Sequence, residues 1–239
     1  MTSHRLSKSR YCTGLQCLRQ LWWRVHEADA PELEPDPSLQ AVFDRGHRIG
    51  ELAQAQFPGG VLVDAEPWEI AEKCSQTQAA LQAGAPAIFE ASFTADETFV
   101  GVDVLERLPE GFALVEVKST YSVKPQFLPD VAVQLHVARA AGVEVRRAEV
   151  MHLRRVFGKG GAGELFVRVD VTAEVEALLP GIPAQLRGMR EMLGGGLPVV
   201  QPGAQCETPY KCQFISRCRA MVQHIPDARM SPIGQSRAR

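Results

Sequence analysis

Residues 101–120, GVDVLERLPEGFALVEVKST, form two apolar runs joined by a Pro-Glu-Gly turn. Such runs about a turn predict a β-hairpin, with strands over 98–106 and 112–119 and the turn at 108–111. Three charged residues interrupt the runs: Asp103, Glu116 and Lys118. Side chains alternate across a strand, so Glu116 and Lys118 project to one face and Val115 and Val117 project into the core. The hairpin brings Asp103, at the end of the first strand, beside Glu116. Two carboxylates this close repel unless a cation lies between them. Mg²⁺ or Mn²⁺ suits them, being hard and oxygen-seeking, with the backbone carbonyl of Val117 as a further ligand. Lys118 then stands where it can orient or deprotonate a water, or hold charge on a phosphoryl oxygen. The alternative is a surface hairpin whose Glu116 and Lys118 form a weak, solvated ion pair. The tripeptide E-x-K alone does not separate the two.

The rest of the chain sets this hairpin in a mixed architecture. Apolar residues recur at helical spacing over 11–27 (Leu15, Leu18, Leu21, Trp22) and over 38–56 (Leu39, Val42, Phe43, Ile49, Leu52). Further helices are expected over 66–84, 129–141 and 172–194, and further strands over 61–64, 87–94, 145–154 and 164–170. The glycine-rich GKGGAG at 158–163 reads as a turn, and APELEPDPS at 30–38 as a loop. This order predicts an α/β fold with a central mixed β-sheet flanked by helices. Four stretches divide it: a helical segment at 1–37, a core at 38–196, a cysteine-bearing segment at 197–222 and a polar tail at 223–239 expected to be unstructured.

The net charge is −2, so any attraction to nucleic acid has to be local. There is no apolar run long enough to span a membrane, and the basic N-terminus lacks the apolar stretch of a secretory signal. A cytoplasmic location with no membrane partner is therefore expected. In a reducing compartment, clustered thiols point to metal or redox chemistry. The six cysteines are Cys12, Cys17, Cys74, Cys206, Cys212 and Cys218. Three near the end and one near the start make four thiolates, the number a [4Fe–4S] cluster takes. Zinc is the competitor, although the spacing CETPYKCQFISRC lacks the short pairs usual in zinc sites. Cys74 lies in an amphipathic helix and reads as an ordinary buried cysteine.

Asp103 with the E-V-K of Glu116 to Lys118 resembles the PD-(D/E)XK nuclease superfamily. Downstream, DVAVQLHVARAAGV resembles the Q-x-x-x-Y motif of RecB-type nucleases, with Gln134 as the glutamine and Ala138 where the tyrosine would fall. Upstream, FDRGHRIGELA corresponds to the helix that supplies a metal-binding histidine in that family. Gly50 takes the histidine's place, so the resemblance implies His47 or Glu51, i,i+4 partners on one helical face, as a further ligand. Glu90, in IFEASF, is an additional acid near the site or an extra ligand. LQCLRQLWW with the late cysteines resembles the iron–sulfur members, the CRISPR-associated RecB-like exonucleases and AddB nuclease domains. That resemblance selects Cys17, Cys206, Cys212 and Cys218 as cluster ligands and leaves Cys12 as the spare. It departs from those families' usual C-x₂-C-x₅-C in its longer first gap.

The resemblance implies a Mg²⁺- or Mn²⁺-dependent deoxyribonuclease with a restriction-endonuclease-like core stapled by a [4Fe–4S] cluster. It implies a DNA substrate, single-stranded or with free ends, exonuclease action, and a helicase or second nuclease as partner. Asp103 and Glu116 would bind metal, Lys118 would activate water, and Gln134 would position the lysine or the DNA. Arg45, Arg48 and Lys124 are the candidate phosphate contacts, with Arg5, Lys8 and Arg10 at the N-terminus, and Tyr121 is placed to stack on a base. Two other readings stay open: a non-catalytic nucleic-acid-binding adaptor on a decayed nuclease fold, and a zinc-stapled structural protein.

Overall fold

In the computed structural model, which describes residues 6–155 and 165–223, the hairpin forms as the alternation predicts. Strand β4 (Thr98–Arg107) pairs antiparallel with β5 (Phe112–Lys118), Val104 lying opposite Val115 and Arg107 opposite Phe112. Gly111 in the turn has φ +75°, a region a side chain rarely adopts, and a Cβ there would lie 2.3 Å from the Glu144 carbonyl oxygen. Gly111→Ala is therefore expected to destabilise the fold by about 2–4 kcal/mol, from the left-handed penalty plus the backbone clash. Urea unfolding checks this.

The other strands are β1 (Leu6–Ser7), β2 (Val61–Leu62), β3 (Ala87–Ala95), β6 (Val145–Leu153) and β7 (Phe166–Asp170). They complete a seven-stranded mixed sheet in the order β2-β3-β4-β5-β6-β7, with β1 paired to β4 off this path. The β2–β3, β5–β6 and β1–β4 pairs are parallel and the others antiparallel. The fold is mixed α/β, a central sheet flanked by helices. The GKGGAG turn, Arg5 and residues 224–239 of the tail lie outside the described residues.

One sheet face is covered by α1 (Lys8–Gln16), α4 (Ile70–Gln82), α5 (Phe127–Ala140), α6 (Thr172–Glu176) and α7 (Ile182–Leu193). Helix α5 explains why: Val131, Ala132, Val133, Leu135, Val137 and Ala138 are all fully buried, so it is apolar nearly all round and can sit only in the core. The other face packs on the C-terminal end of α3 (Pro37–Gln54), through Ile49, Ala53 and the Phe57 that follows the helix, against Phe89, Val115 and Met151. The remainder of the expected α3 stripe stays outside: Val42 and Phe43 are exposed because the helix reaches the sheet only through its last turns, and Leu52 is exposed as well.

Several expectations are corrected. The helix expected over 11–27 is two helices, α1 and α2 (Leu18–His26), interrupted at Cys17, which is extended at φ −163°, ψ 118°. Cys17 closes one helix by donating its N–H to the Thr13 carbonyl and opens the next by accepting from Leu21. At Gly14 a Cβ would fall 2.6 Å from the Met189 sulfur, so glycine is what lets α1 meet α7 closely. The helix expected over 172–194 is α6, a 3₁₀ turn at Leu179–Gly181 and α7, since Pro180 and Pro183 cannot donate to a continuous ladder. The helix expected from 66 starts at Ile70. Strand β1 was not foreseen, being only two residues long. The 197–222 segment forms a 3₁₀ turn at Ala204–Cys206 and helix α8 (Ile215–Gln223).

Candidate functional site

Asp103 is in the middle of β4, not at its end, and there the sheet parts. The β4–β5 ladder runs only from Arg107 back to Val104. Further along, β4 pairs with β1 instead, Leu6 opposite Thr98 and Ser7 opposite Phe99. Asp103 sits at this split and accepts the Val117 N–H through Oδ2 at 2.7 Å, so its carboxylate is fixed beside Glu116. On β3, Glu90 faces Asp103 across the register set by Phe89–Val104 and Ala91–Val102. Phe89 and Val104 pack in the smaller core while Ala91 and Val102 pack in the larger, so both strands change face at this step. Glu90 makes the change by adopting φ +56°, which costs an L-residue about 1–2 kcal/mol.

Leu114, Glu116 and Lys118 share the face of β5 that meets α1 and α5, as the alternation predicts. Both faces of β5 are nonetheless covered, and Glu116 is only 2% exposed. Its carboxylate takes hydrogen bonds from Lys118 (Oε1, 2.5 Å), Gln134 (Oε2, 2.7 Å) and Lys8 (Oε1, 3.2 Å; Oε2, 3.1 Å). Lys118 also donates to Asp130 Oδ2 at 2.8 Å, and Lys8 lies 3.7 Å from Asp130 Oδ1. Gln134 donates to the Asp130 carboxylate and backbone oxygens, each at 3.2 Å, while its own Oε1 is buried without a partner. The structure thus joins Asp103, Glu116, Lys118 and Gln134, and adds Lys8, Asp130 and Glu90.

The electrostatics follow from this crowding. Burial opposes the charged form of Glu116, but the Lys8 and Lys118 ammoniums outweigh it and hold its pKa well below the usual carboxylate range. Burial together with the Glu116 charge pushes Asp103 and Asp130 up. For Lys118, burial is outweighed by Glu116 and Asp130, which raise its pKa and keep it an ammonium. Burial raises Glu90.

His47 and Glu51 are on the exposed side of α3, and no hydrogen bond or ion pair joins either to Asp103 or Glu116. Arg45, Tyr121 and Lys124 line one groove with Ser119, Thr120, Ser122, Leu153 and Arg155, and the Arg155 guanidinium is 5.8 Å from the Tyr121 ring centre. This groove opens directly after Lys118 in the chain. Arg48 is exposed on α3 outside it.

Cys17, Cys206, Cys212 and Cys218 line one recess with Arg19, Gln20 and Trp23. Cys12 is away from it, packed against the larger core with its thiol pushed up to about 12 by burial, and Cys74 is half-buried in α4. The recess joins the two ends of the fold. Trp23 meets Phe214 with ring centres 5.0 Å apart, Gln16 donates to the Gln205 and Tyr210 carbonyls, and Arg19 donates to the Pro198 carbonyl and the Cys218 sulfur. Gln20 Oε1 is buried there without a partner. Among the described residues, no three His, Cys, Asp or Glu side chains converge closely enough to hold a single ion, and no helix is long and apolar enough to cross a membrane.

Lys8, Asp130, Arg155 and Arg19 were missed as site residues or given another role. Asp130 had a usable signal: it precedes Gln134 by four residues on one helix, so the two share a face.

No family model and no curated protein matches the sequence. Among solved structures, an alkaline exonuclease from Laribacter hongkongensis aligns over 80% of this chain and 92% of its own, at 13% identity and a TM-score of 0.42. The protein SSO0001 aligns over 92% of this chain and 88% of its own, at 10% identity and a TM-score of 0.45.

Proposed function

We propose that the protein is a divalent-metal-dependent nuclease that hydrolyses phosphodiester bonds in DNA. The observation that carries this reading is the meeting of Asp103, Glu116 and Lys118 at the split between β4 and β5. The donor set fits Mg²⁺ or Mn²⁺, with Asp103 and Glu116 supplying hard oxygens. When bound, such an ion supplies electrophilic charge for attack of water on phosphorus. The chain's own residues do the rest. Lys118, steered by Asp130 and Glu116, presents its ammonium to a phosphoryl oxygen as charge develops there. Gln134 fixes Glu116 and Asp130 relative to each other. The Val117 N–H holds Asp103 in place. Water's oxygen bonds to phosphorus, the P–O ester bond breaks, and the proton that the water gives up ends on the leaving oxygen. His47 and Glu51 remain candidate ligands on α3, and a preference for single strands and free ends rests on the sequence resemblance.

The groove of Arg45, Tyr121, Lys124 and Arg155 is the proposed path for the strand, with cations for phosphates and an aromatic face for a base. Removing Lys124 or Arg155 to alanine is expected to lower the slope of log affinity against log salt by about 0.7 each on single strands. Fluorescence anisotropy at several salt concentrations measures it.

The four-cysteine recess is proposed to hold a [4Fe–4S] cluster. All four thiols line one recess, the number of thiolates that either a [4Fe–4S] cluster or a zinc ion takes. A second reading, a non-catalytic DNA-binding module, is favoured by the saturation of Glu116, whose oxygens are engaged by Lys8, Lys118 and Gln134. End-labelled single-stranded and duplex DNA, incubated with anaerobically purified protein and Mg²⁺ or Mn²⁺, tests the choice. Cleavage abolished by EDTA supports the nuclease, and binding without cleavage supports the module.

A further inference from the structure

A carboxylate offers about four lone-pair positions, and those of Glu116 are filled by four hydrogen bonds. A divalent ion cannot use Glu116 until one donor leaves. The two donors on the sheet and on α5 hold tightly: Lys118 at 2.5 Å and Gln134 at 2.7 Å. Lys8 holds at 3.1 and 3.2 Å and comes from the first turn of α1, just after a two-residue strand. Its ammonium also lies 3.7 Å from Asp130 Oδ1, and its charge acts on Asp103 and Glu90. Strand β1 delivers it there by occupying the side of β4 that β5 vacates.

We propose that Lys8 is a built-in competitor of the divalent ion, a resident cation that must swing off Glu116 for metal to bind and that sets the metal concentration the site requires. This rests on the metal-dependent reading above. The retreating side chain has a route out, since it is a quarter exposed. The Lys118–Asp130 and Gln134–Asp130 contacts remain when Lys8 leaves, so the rest of the site keeps its form.

The test measures binding rather than turnover. Free Mn²⁺ is followed by electron paramagnetic resonance, without DNA, in wild type, Lys8→Met and Lys73→Met. Lys73 lends charge to the same region through Glu90 but touches neither Asp103 nor Glu116. Lys8→Met is expected to lower the Mn²⁺ Kd by about tenfold or more, and Lys73→Met by less than about threefold. Equal effects of the two variants, or no tightening by Lys8→Met, would overturn the proposal while leaving a metal site intact. Absence of Mn²⁺ binding in every protein would sink the metal-dependent reading itself, and this proposal with it. Wild type alone gives a second measurement should Lys8→Met fold poorly. Acetic anhydride labelling of Lys8, normalised to exposed Lys124, is expected to rise severalfold when Mg²⁺ is added. A fall or no change at saturating Mg²⁺ counts against displacement.

Discussion

Lys118→Met is expected to lower the single-turnover rate of DNA cleavage by about 10²–10³-fold while changing DNA affinity only a few-fold. Removing one preorganised donor aimed at developing charge costs about 10²–10³ in rate. Lys118 is such a donor. Lys8 shares Glu116 Oε1 with it and lies 3.7 Å from Asp130, but both of its hydrogen bonds are already committed to Glu116. Methionine keeps the apolar stem and gives up only the ammonium, which lies 5.2 Å from the Phe127 ring centre. The buried Glu116 retains Lys8 and Gln134, and the fold should survive with a modest loss of stability. A cleavage rate within tenfold of wild type would remove the ammonium from the chemistry. Circular dichroism of the variant confirms that what was lost is the group and not the fold.

The second large effect is expected at the thiol recess. If the recess holds the proposed cluster, Cys212→Ser should remove the visible absorbance that the cluster gives the anaerobically purified protein and lower its melting temperature by more than about 10 °C. A structural metal centre contributes much of the folding energy of the segments it joins. For a chain of this size, each kcal/mol at the midpoint moves Tm by about 2–4 °C, so losing roughly 4 kcal/mol is enough. Cys74→Ser is the matched control, because Cys74 lies on α4 away from the recess, and its Tm should stay within about 2 °C of wild type. Metal analysis separates the candidates: about four irons per chain for the cluster, about one zinc for the alternative. Intact absorbance in Cys212→Ser would exclude this recess as the origin of the colour.

The strands and the face of β5 were legible because a period of two is hard to mistake: Leu114, Glu116 and Lys118 had to share a side. Helix α5 was legible from its length and its closing glycine. The meeting of Asp103, Glu116, Lys118 and Gln134 was legible because chemistry and spacing coincide there. What escaped notice depended on contacts distant along the chain. Nothing local marks Leu6–Ser7 as a strand, since its pairing partner lies at Thr98–Phe99. Lys8 reads as one more exposed cation until β1 is placed, and its partner is 108 residues away. The break at Cys17 escaped because the apolar spacing continues across it, and the interruption shows only in the extended backbone of that residue. The exposure of Val42 and Phe43 escaped for the opposite reason: an amphipathic pattern announces a face but not whether anything covers it.

Helix α1 has Lys8 at its first position, and Cys17 follows its last residue. Nine residues of helix make a rod about 13 Å long, stiff enough to carry a shift from one end to the other. Should the recess hold the proposed cluster, oxygen damage to it would thereby be felt at the proposed Mg²⁺ or Mn²⁺ site through Lys8. Two preparations of the same polypeptide, one handled in air and one under nitrogen, should then disagree about how much metal the reaction needs.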